Sequence, residues 1–570
     1  MIAFSAAMKV RSFLFLSLAA AAPLAEAGSV PVRARNSMVV SQNAIASQVG
    51  ASMLVAEGNA MDAAVATAFA LAVVHPSAGN IGGGGFIVYR SARGETGAYD
   101  FREVAPAAAS PTMFLKDGEY DPVLHHRAHL AVGVPGTVAG LYQAWKGHGQ
   151  LPWGQLLEPA IALAREGFMV TDGLARSLRS ALPEMKAYPA SVAQFSRGGD
   201  PYEMGDLLQQ TDLADTLERI AKEGPRGFYE GKTAQLIEKE MERGGGLITR
   251  EDLRSYQVIR REPLRGTYHG IEILTMPPPS SGGVVLLQVL NILEEYDLPG
   301  MGFGSAAYLH HLTEAMRRAF ADRARFLGDP GHVAEMPVAT LISKPYAAQL
   351  RNTIHPRRAS ASEPTTFTWP EVGTETTHIS VVDTGRNVVS LTYTLEEGYG
   401  SKIVVPGAGF LLNNEMGDFN AGPGLTDATG LIGTEPNLAA PGKRPLSNMT
   451  PTVLLSEGEP WLVLGSPGAR RIPNVVAQTI VNMVDFRMNV QEAIDAPRVH
   501  HQWLPDLLRY ERNGFSPDTL DLLREWGHPV EAVDSETYTM GVVQAVAIRE
   551  DGLLEGGSDR RRPDGAAIGR

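Results

Sequence analysis

The 570-residue sequence predicts an α/β protein whose sheets are covered by helices on their outer faces. Two observations lead there. Strand-like alternation and helix-like periodicity take turns along the chain instead of segregating into halves. Sixty glycines and 38 prolines are many for a helical protein and mark numerous tight turns and close backbone approaches. With 44% apolar and 20% charged residues the chain can fill an interior, and its length implies two domains or two intertwined parts.

Composition also excludes. A net charge of −13 with no basic face argues against nucleic acid as a partner. The absence of cysteine removes disulfides, thiolate nucleophiles and Cys-ligated zinc, so any nucleophile is an oxygen or an amine. Lys9 and Arg11 precede an apolar run at 13–24, and Ala25-Glu26-Ala27 has the small-x-small form of a signal-peptidase site. Residues 1–27 are therefore expected to be a signal peptide, with translation starting at Met1 or Met8 and export to the periplasm or the medium. The run is short of the ~20 residues that span a bilayer, and no membrane span is expected in the mature protein.

Residues 43–74 read as two closely packed, alanine-rich helices parted near Gly58-Asn59. The run AGNIGGGGFIV at 78–88 carries four glycines into a strand. Without a following GK[ST] or a G-x-G-x-x-G spacing, it reads as close backbone approach beside another segment, not as a phosphate loop. YDFREVAP at 99–106 puts Arg102 at the end of a short strand, between Asp100 and Glu103. Such an Arg either pairs with those neighbours or grips a carboxylate with its planar fork. His125, His126 and His129 could place two imidazoles on one helical face, but no acid lies in phase with them, so no metal is expected there.

Helical patterns follow over 156–242, and Thr249 with Asp252 makes a capping box. Residues 271–283 form a strand broken by three prolines, after which Ser280 and Ser281 are expected to cap the helix 284–295. Residues 306–326 form an amphipathic helix whose His310 and His311 lie among residues that read as surface and core. The stretch 371–420 is the most informative. After a polar loop, two alternating runs, 377–383 and 388–395, flank Thr384-Gly385-Arg386-Asn387 as a hairpin. Thr376 and Thr377 stand at its entry, where a hydroxyl residue is either a strand former or a nucleophile. Downstream come strands at 452–456 and 461–471, helices at 475–486, 490–496 and 516–527, and a closing strand at 541–548.

Eight motifs in order, AGNIGGGGF, DFREVAP, GVPGTVAG, MPPPSSGG, TTHISVVD, LLNNEMGDF, KRPLSNMTPT and GSPGARR, resemble the γ-glutamyltranspeptidase family over nearly the whole mature chain. The resemblance implies the αββα four-layer sandwich of N-terminal nucleophile hydrolases and a precursor that cuts itself between Glu375 and Thr376. Cleavage would leave a large subunit, 28–375, and a small subunit, 376–570, paired as a heterodimer. Thr376 would become both nucleophile and N-terminus. The chemistry is coherent: a Thr hydroxyl needs an adjacent base, and an α-amine of pKa ~7.7–8.0 is nearly matched to neutral pH.

By the same resemblance, Thr394 orients the nucleophile, and Arg102 grips the substrate α-carboxylate with Ser447 as a hydroxyl partner. Glu415 and Asp418 hold the α-ammonium. The backbone N–H groups of Gly468 and Ala469 form the oxyanion hole. Four positions depart from the family pattern. Glu396 stands where many members have Asn and is expected to accept from the ammonium. Asn448 replaces the second Ser of a Ser-Ser pair in the carboxylate subsite. Ala469 replaces a Gly, without consequence if the turn does not require positive φ. Thr429, in a lid loop at 422–442, lies where some members have a Tyr.

No cofactor or metal is implied. The expected substrates are a γ-glutamyl donor of the glutathione type and, as acceptor, water, an amino acid or a peptide. The alternatives are a glutaryl or cephalosporin acylase, a poly-γ-glutamate hydrolase, or an unprocessed binding homologue of the same fold. Intact Arg102, Glu415 and Asp418 favour the amino-acid donor, because a glutaryl group has no ammonium for the acids to bind.

Overall fold

The computed structural model describes residues 28–362, 376–425, 434–534 and 539–570. The expected leader 1–27, Glu375, Thr429 and part of the expected lid loop lie outside them.

Two seven-stranded sheets form the centre. The first runs Ile259–Arg261, Thr96–Phe101, Gly84–Arg90, Val388–Thr394, Thr376–Val382, Met38–Ser41 and Ala566–Gly569. The second runs Val32–Ala34, Leu554–Ser558, Gln544–Ile548, Glu459–Gly465, Thr452–Ser456, Ile271–Thr275 and Leu264–Tyr268. Neighbours in both are antiparallel. The hairpin Thr376–Val382/Val388–Thr394 packs on Glu459–Gly465, which brings the sheets face to face. Helices Ala44–Val55, Ala60–Val74 and Thr137–His148 cover the first sheet. Gly282–Leu293, Ile472–Val484 and Val490–Asp495 cover the second. This is the αββα sandwich that the resemblance implies.

Local chemistry explains the layers. Asn43 and Asn59 cap the first two helices through their side chains, Asn59 in a capping box with Asp62. In the hairpin, the period of two sends Ile379, Val381, Val389, Leu391 and Tyr393 outward into the core beneath the alanine-rich helices. The opposite face, between the sheets, carries Thr376, His378, Ser380, Ser390, Thr392 and Thr394, all buried. Buried polar groups need partners. His378 finds Thr392 Oγ1 at 2.8 Å and Ser380 Oγ at 3.0 Å. Ser380 and Ser390 donate across the gap to Gln544 O and Leu464 O, each at 3.0 Å.

The glycine run behaves as expected. A Cβ on Gly83 would stand 2.0 Å from Thr394 O, and one on Gly84 would stand 2.5 Å from Phe101 O, so neither strand neighbour admits a side chain. Three expectations need correction. Ser281 occupies the N-cap of Gly282–Leu293 without capping it through its side chain and donates to Ser447 O at 2.6 Å, whereas Ser280 Oγ does accept from the Gly282 N–H at 3.1 Å, while donating to Met449 O at 2.6 Å. His310 and His311 are both buried. The strand Gln544–Ile548 does not close the fold, because Leu554–Ser558 and Ala566–Gly569 follow, the last pairing with Met38–Ser41. The Gly- and Arg-rich composition of those final residues hides their strand pattern.

Candidate active site

Hairpin register brings Thr376 directly opposite Thr394 at the end of the paired strands. Thr376 Oγ1 donates to Thr394 Oγ1 at 3.2 Å, and Thr394 Oγ1 accepts from the Glu396 N–H at 2.9 Å. Asn80, from the loop before the glycine run, donates to Thr394 O at 2.9 Å and accepts from Gly83 N–H. Thr394 is thus held from both sides. Below the pair, burial pushes the His378 imidazole down to about 3, so it is neutral and links Thr392 and Ser380 within the hairpin.

Thr376 and Thr394 open onto a cleft of about 410 Å³ shared with Arg102, Glu396, Glu415, Asp418, Ser447, Asn448, Ala469 and Arg470. Eight sequence-predicted residues thus line one cavity together with Thr376. Arg102, immediately after the strand Thr96–Phe101, is fully buried. Its guanidinium donates to Glu415 and Asp418, to Glu103 at 3.3 Å and to Pro445 O at 3.2 Å. Burial disfavours the cation, but Glu415, Asp418 and Glu103 outweigh it and keep Arg102 protonated. Both sequence readings of Arg102 meet here. It pairs with its neighbour Glu103, whereas the Asp100 carboxylate goes to Arg261 and Arg444.

The acids outnumber the base. Burial, with Asp418 and other acids nearby, pushes Glu396 and Glu415 well above the usual carboxylate range, and Glu103 up to about 7. Glu396 adopts φ +80°, a strained conformation for a residue with a Cβ. Both of its carboxylate oxygens, and Oε2 of Glu415, are buried without a hydrogen-bond partner. An orphaned buried acceptor costs about 1–3 kcal/mol. Three such atoms around one cleft describe a place for a cation bearing several N–H donors.

The opposite wall is built by two loops lashed together. Ser447 N–H donates to Pro279 O and Ser281 N–H to Ser447 O, each at 2.8 Å. Ser447 Oγ accepts from Met449 N–H at 3.2 Å, which leaves the hydroxyl proton for the cleft. Asn448 Oδ1 accepts from Ser281, so its amide NH₂ is the group available as a donor. Gly468 and Ala469 start the short 3₁₀ turn Ala469–Arg471, and among the described residues their N–H groups make no hydrogen bond. Ala469 has φ +49°. The turn therefore does require positive φ at this position, and Ala469 occupies the left-handed region.

Sequence reading missed several contributors. Asn80 reads as a loop residue, and Arg470 lies hidden in GSPGARR. His126 stands 3.4 Å from Glu396, an acid far away in sequence that no helical phase could reveal. His129 instead meets Glu240 at 2.9 Å. One cluster of metal-ligand type lies elsewhere, at His310, Glu314 and His528. Glu314 there is already taken up by Arg317, Arg318 and Ser360. No helix among the described residues is long and apolar enough to cross a membrane.

Comparison with known proteins agrees with this geometry. The glutathione hydrolase proenzyme of Escherichia coli (strain K12) is 47% identical over 544 residues, covering 95% of this chain and 93% of that protein. The structure of a cephalosporin acylase from Bacillus halodurans superposes with a TM-score of 0.84 at 28% identity, covering 98% of this chain and 99% of its own. A chain of the γ-glutamyltranspeptidase from Helicobacter pylori is 47% identical, with a TM-score of 0.55 over 56% of this chain and 91% of its own. The family model for γ-glutamyltranspeptidase matches residues 46–569. With sequence, fold and cleft in agreement over nearly the full length, the chain belongs to the γ-glutamyltranspeptidase family.

Proposed function

We propose that this chain is the precursor of an exported enzyme that cuts itself between Glu375 and Thr376 and then cleaves γ-glutamyl bonds, passing the γ-glutamyl group to water or to an amino acid or peptide. Residues 1–27 are the leader, 28–375 the large subunit and 376–570 the small one. In the precursor, Thr376 Oγ attacks the Glu375 carbonyl, and the C–N bond is exchanged for an ester. Water cleaves that ester, leaving a carboxylate on Glu375 and a free α-amine on Thr376.

The mature site uses that amine as base. It takes the Thr376 hydroxyl proton while Oγ attacks the donor's γ-carbonyl, and Thr394 holds Oγ in line. The tetrahedral oxyanion is met by the N–H groups of Gly468 and Ala469. Collapse returns the proton to the leaving amine and leaves a γ-glutamyl-Thr376 ester. Water or an acceptor amine then attacks the same carbon and restores the hydroxyl. Arg102, with the Ser447 hydroxyl and the Asn448 amide, receives the donor's α-carboxylate. Glu396, Glu415 and Asp418 receive its α-ammonium.

The observation that carries this reading is the set of orphaned oxygens on Glu396 and Glu415 beside a guanidinium already charged and buried. A zwitterionic amino-acid head supplies the N–H donors that the orphaned oxygens lack. A glutaryl group would leave the oxygens orphaned. The test is a denaturing gel followed by two anilides: wild type resolves into two fragments, Thr376→Ala stays whole, and γ-glutamyl p-nitroanilide is turned over at least tenfold faster than glutaryl p-nitroanilide. An uncut, inactive wild type refutes the enzyme; faster glutaryl turnover refutes the donor.

A further inference from the structure

One buried side chain beside Glu396, His126, has no part in the mechanism above. His126 ends the helix Pro122–His126, and its Nδ1 lies 3.4 Å from Glu396 Oε1. Nδ1 and both Glu396 oxygens are buried and have no hydrogen-bond partner. Gly417 closes over the pair with backbone alone: a Cβ there would stand 2.4 Å from His126 Nδ1 and 2.8 Å from each Glu396 oxygen.

The surrounding charges are engaged elsewhere. From Glu396's own turn, Glu397 pairs with Lys402 at 3.3 Å and with Arg127 at 3.5 Å. Arg102 is engaged by Glu415 and Asp418. From the strand Glu119–Tyr120, Tyr120 is 3.0 Å from His125 Nδ1, which places that phenol and imidazole together. Arg470, on the far wall, bears on His126 as a like charge that opposes its protonation. Burial, with the like charges of Arg127 and Arg470, holds the His126 imidazole down to about 4 against Glu397 and Asp418, so it is neutral while Glu396 keeps its proton; loss of that proton would put an anion 3.4 Å from Nδ1 and raise it.

We propose that His126 is a positioning residue for the α-ammonium subsite, sharing one proton with Glu396: the proton sits on the carboxyl while the cleft is empty and on His126 Nδ1 when a donor's ammonium is bound. The exchange balances. The Glu396 O–H bond breaks, its electron pair stays on the carboxylate, and the Nδ1 lone pair takes the proton; no proton need leave the cleft. An empty pocket then avoids an unpaired buried anion, which burial and Asp418 make costly. Binding an ammonium makes the carboxylate favourable, and His126 keeps the released proton beside it. The pair keeps the same net charge in both states, and its carboxylate forms only when an ammonium is present to pair with it.

This inference rests on the reading of Glu396 as an ammonium partner. The test measures kcat and KM for γ-glutamyl p-nitroanilide from pH 5.5 to 9. Wild-type KM is expected to be nearly flat. His126→Asn keeps a polar group but cannot take up the proton, so KM should rise about tenfold at pH 6–7 and recover as pH rises, with kcat within about twofold. In a Glu396→Gln background, adding His126→Asn should change nothing further. If His126→Asn fails to mature on a denaturing gel, His126→Gln carries the same comparison; failure of both assigns His126 to folding and overturns the proposal. An active wild type whose KM and pH profile are unmoved by His126→Asn, or moved equally with Gln at 396, overturns this inference alone. A wild type that does not act on the anilide overturns the functional reading as well.

Discussion

Ala469 holds a conformation that its side chain resists. A left-handed φ at a residue with a Cβ costs about 1–2 kcal/mol, and Ala469 adopts it where it lines the cleft. Replacing it by Gly relieves that strain but loosens the unfolded chain by about 0.4–1 kcal/mol. Ala469→Gly is therefore expected to raise stability by up to about 1 kcal/mol in urea unfolding. It should leave kcat within about twofold, because the donor is backbone. A loss of stability would mean that the Ala469 methyl group packs usefully. The neighbouring positions show how much chemistry single residues announce. Thr376, Arg102, Glu415, Asp418 and Ser447 are legible because their types and motif order carry meaning. His126 and Asn80 are not, since their value comes from what they face.

The helix Ala306–Phe326 is legible from its period and its Ser305 cap; besides packing into the second core it carries a buried charge cluster. Glu314 accepts from Arg317 at 3.1 Å, Arg318 at 2.6 Å and Ser360 at 2.5 Å. Burial raises its pKa, but Arg317, Ser360 and Arg318 together win and hold it down to about 2. A depressed carboxyl contributes stability above its unfolded value, near 4.5, and loses it as pH falls through about 2. The contribution is on the order of 3 kcal/mol. The stability gap between wild type and Glu314→Gln should thus be largest at pH 7 and close steadily below pH 4.5. A constant gap in thermal unfolding from pH 7 to pH 3 would place the residue's value in packing instead. The hairpin is the clearest element of all, because strict alternation on both sides of a four-residue turn leaves one register. Ser281 misleads for the opposite reason: a hydroxyl before a helix usually caps it, and here a neighbouring loop takes it, while Ser280 serves both that loop and the first helical N–H.

The two segments on either side of Thr376 cannot be drawn apart as domains. In the first sheet, Thr376–Val382 and Val388–Thr394 sit between Gly84–Arg90 and Met38–Ser41; in the second, Thr452–Ser456 pairs with Ile271–Thr275. Cutting one peptide bond removes none of these ladders. The matured protein is expected to elute as a single species under native conditions, to unfold in one transition, and to yield two pieces only in denaturant. Separation of the pieces in native buffer would show that the shared sheets do not hold them.

From the sequence came the chemical inventory: no thiol, a Thr at a strand entry, one Arg and several acids in recognisable order, and glycines where strands crowd. These are local properties, written in residue type and spacing. Tertiary structure settled which groups meet. Arg102 and Glu415 are 313 residues apart in the chain, and they meet because the segment after the hairpin, anchored through Asn413 to Gly82 and Gly133, folds back beside the end of the strand Thr96–Phe101. Whether a carboxylate is satisfied, orphaned or beside an imidazole depends on burial and on neighbours from other elements. Spacing along a chain cannot encode that, because electrostatics acts through space.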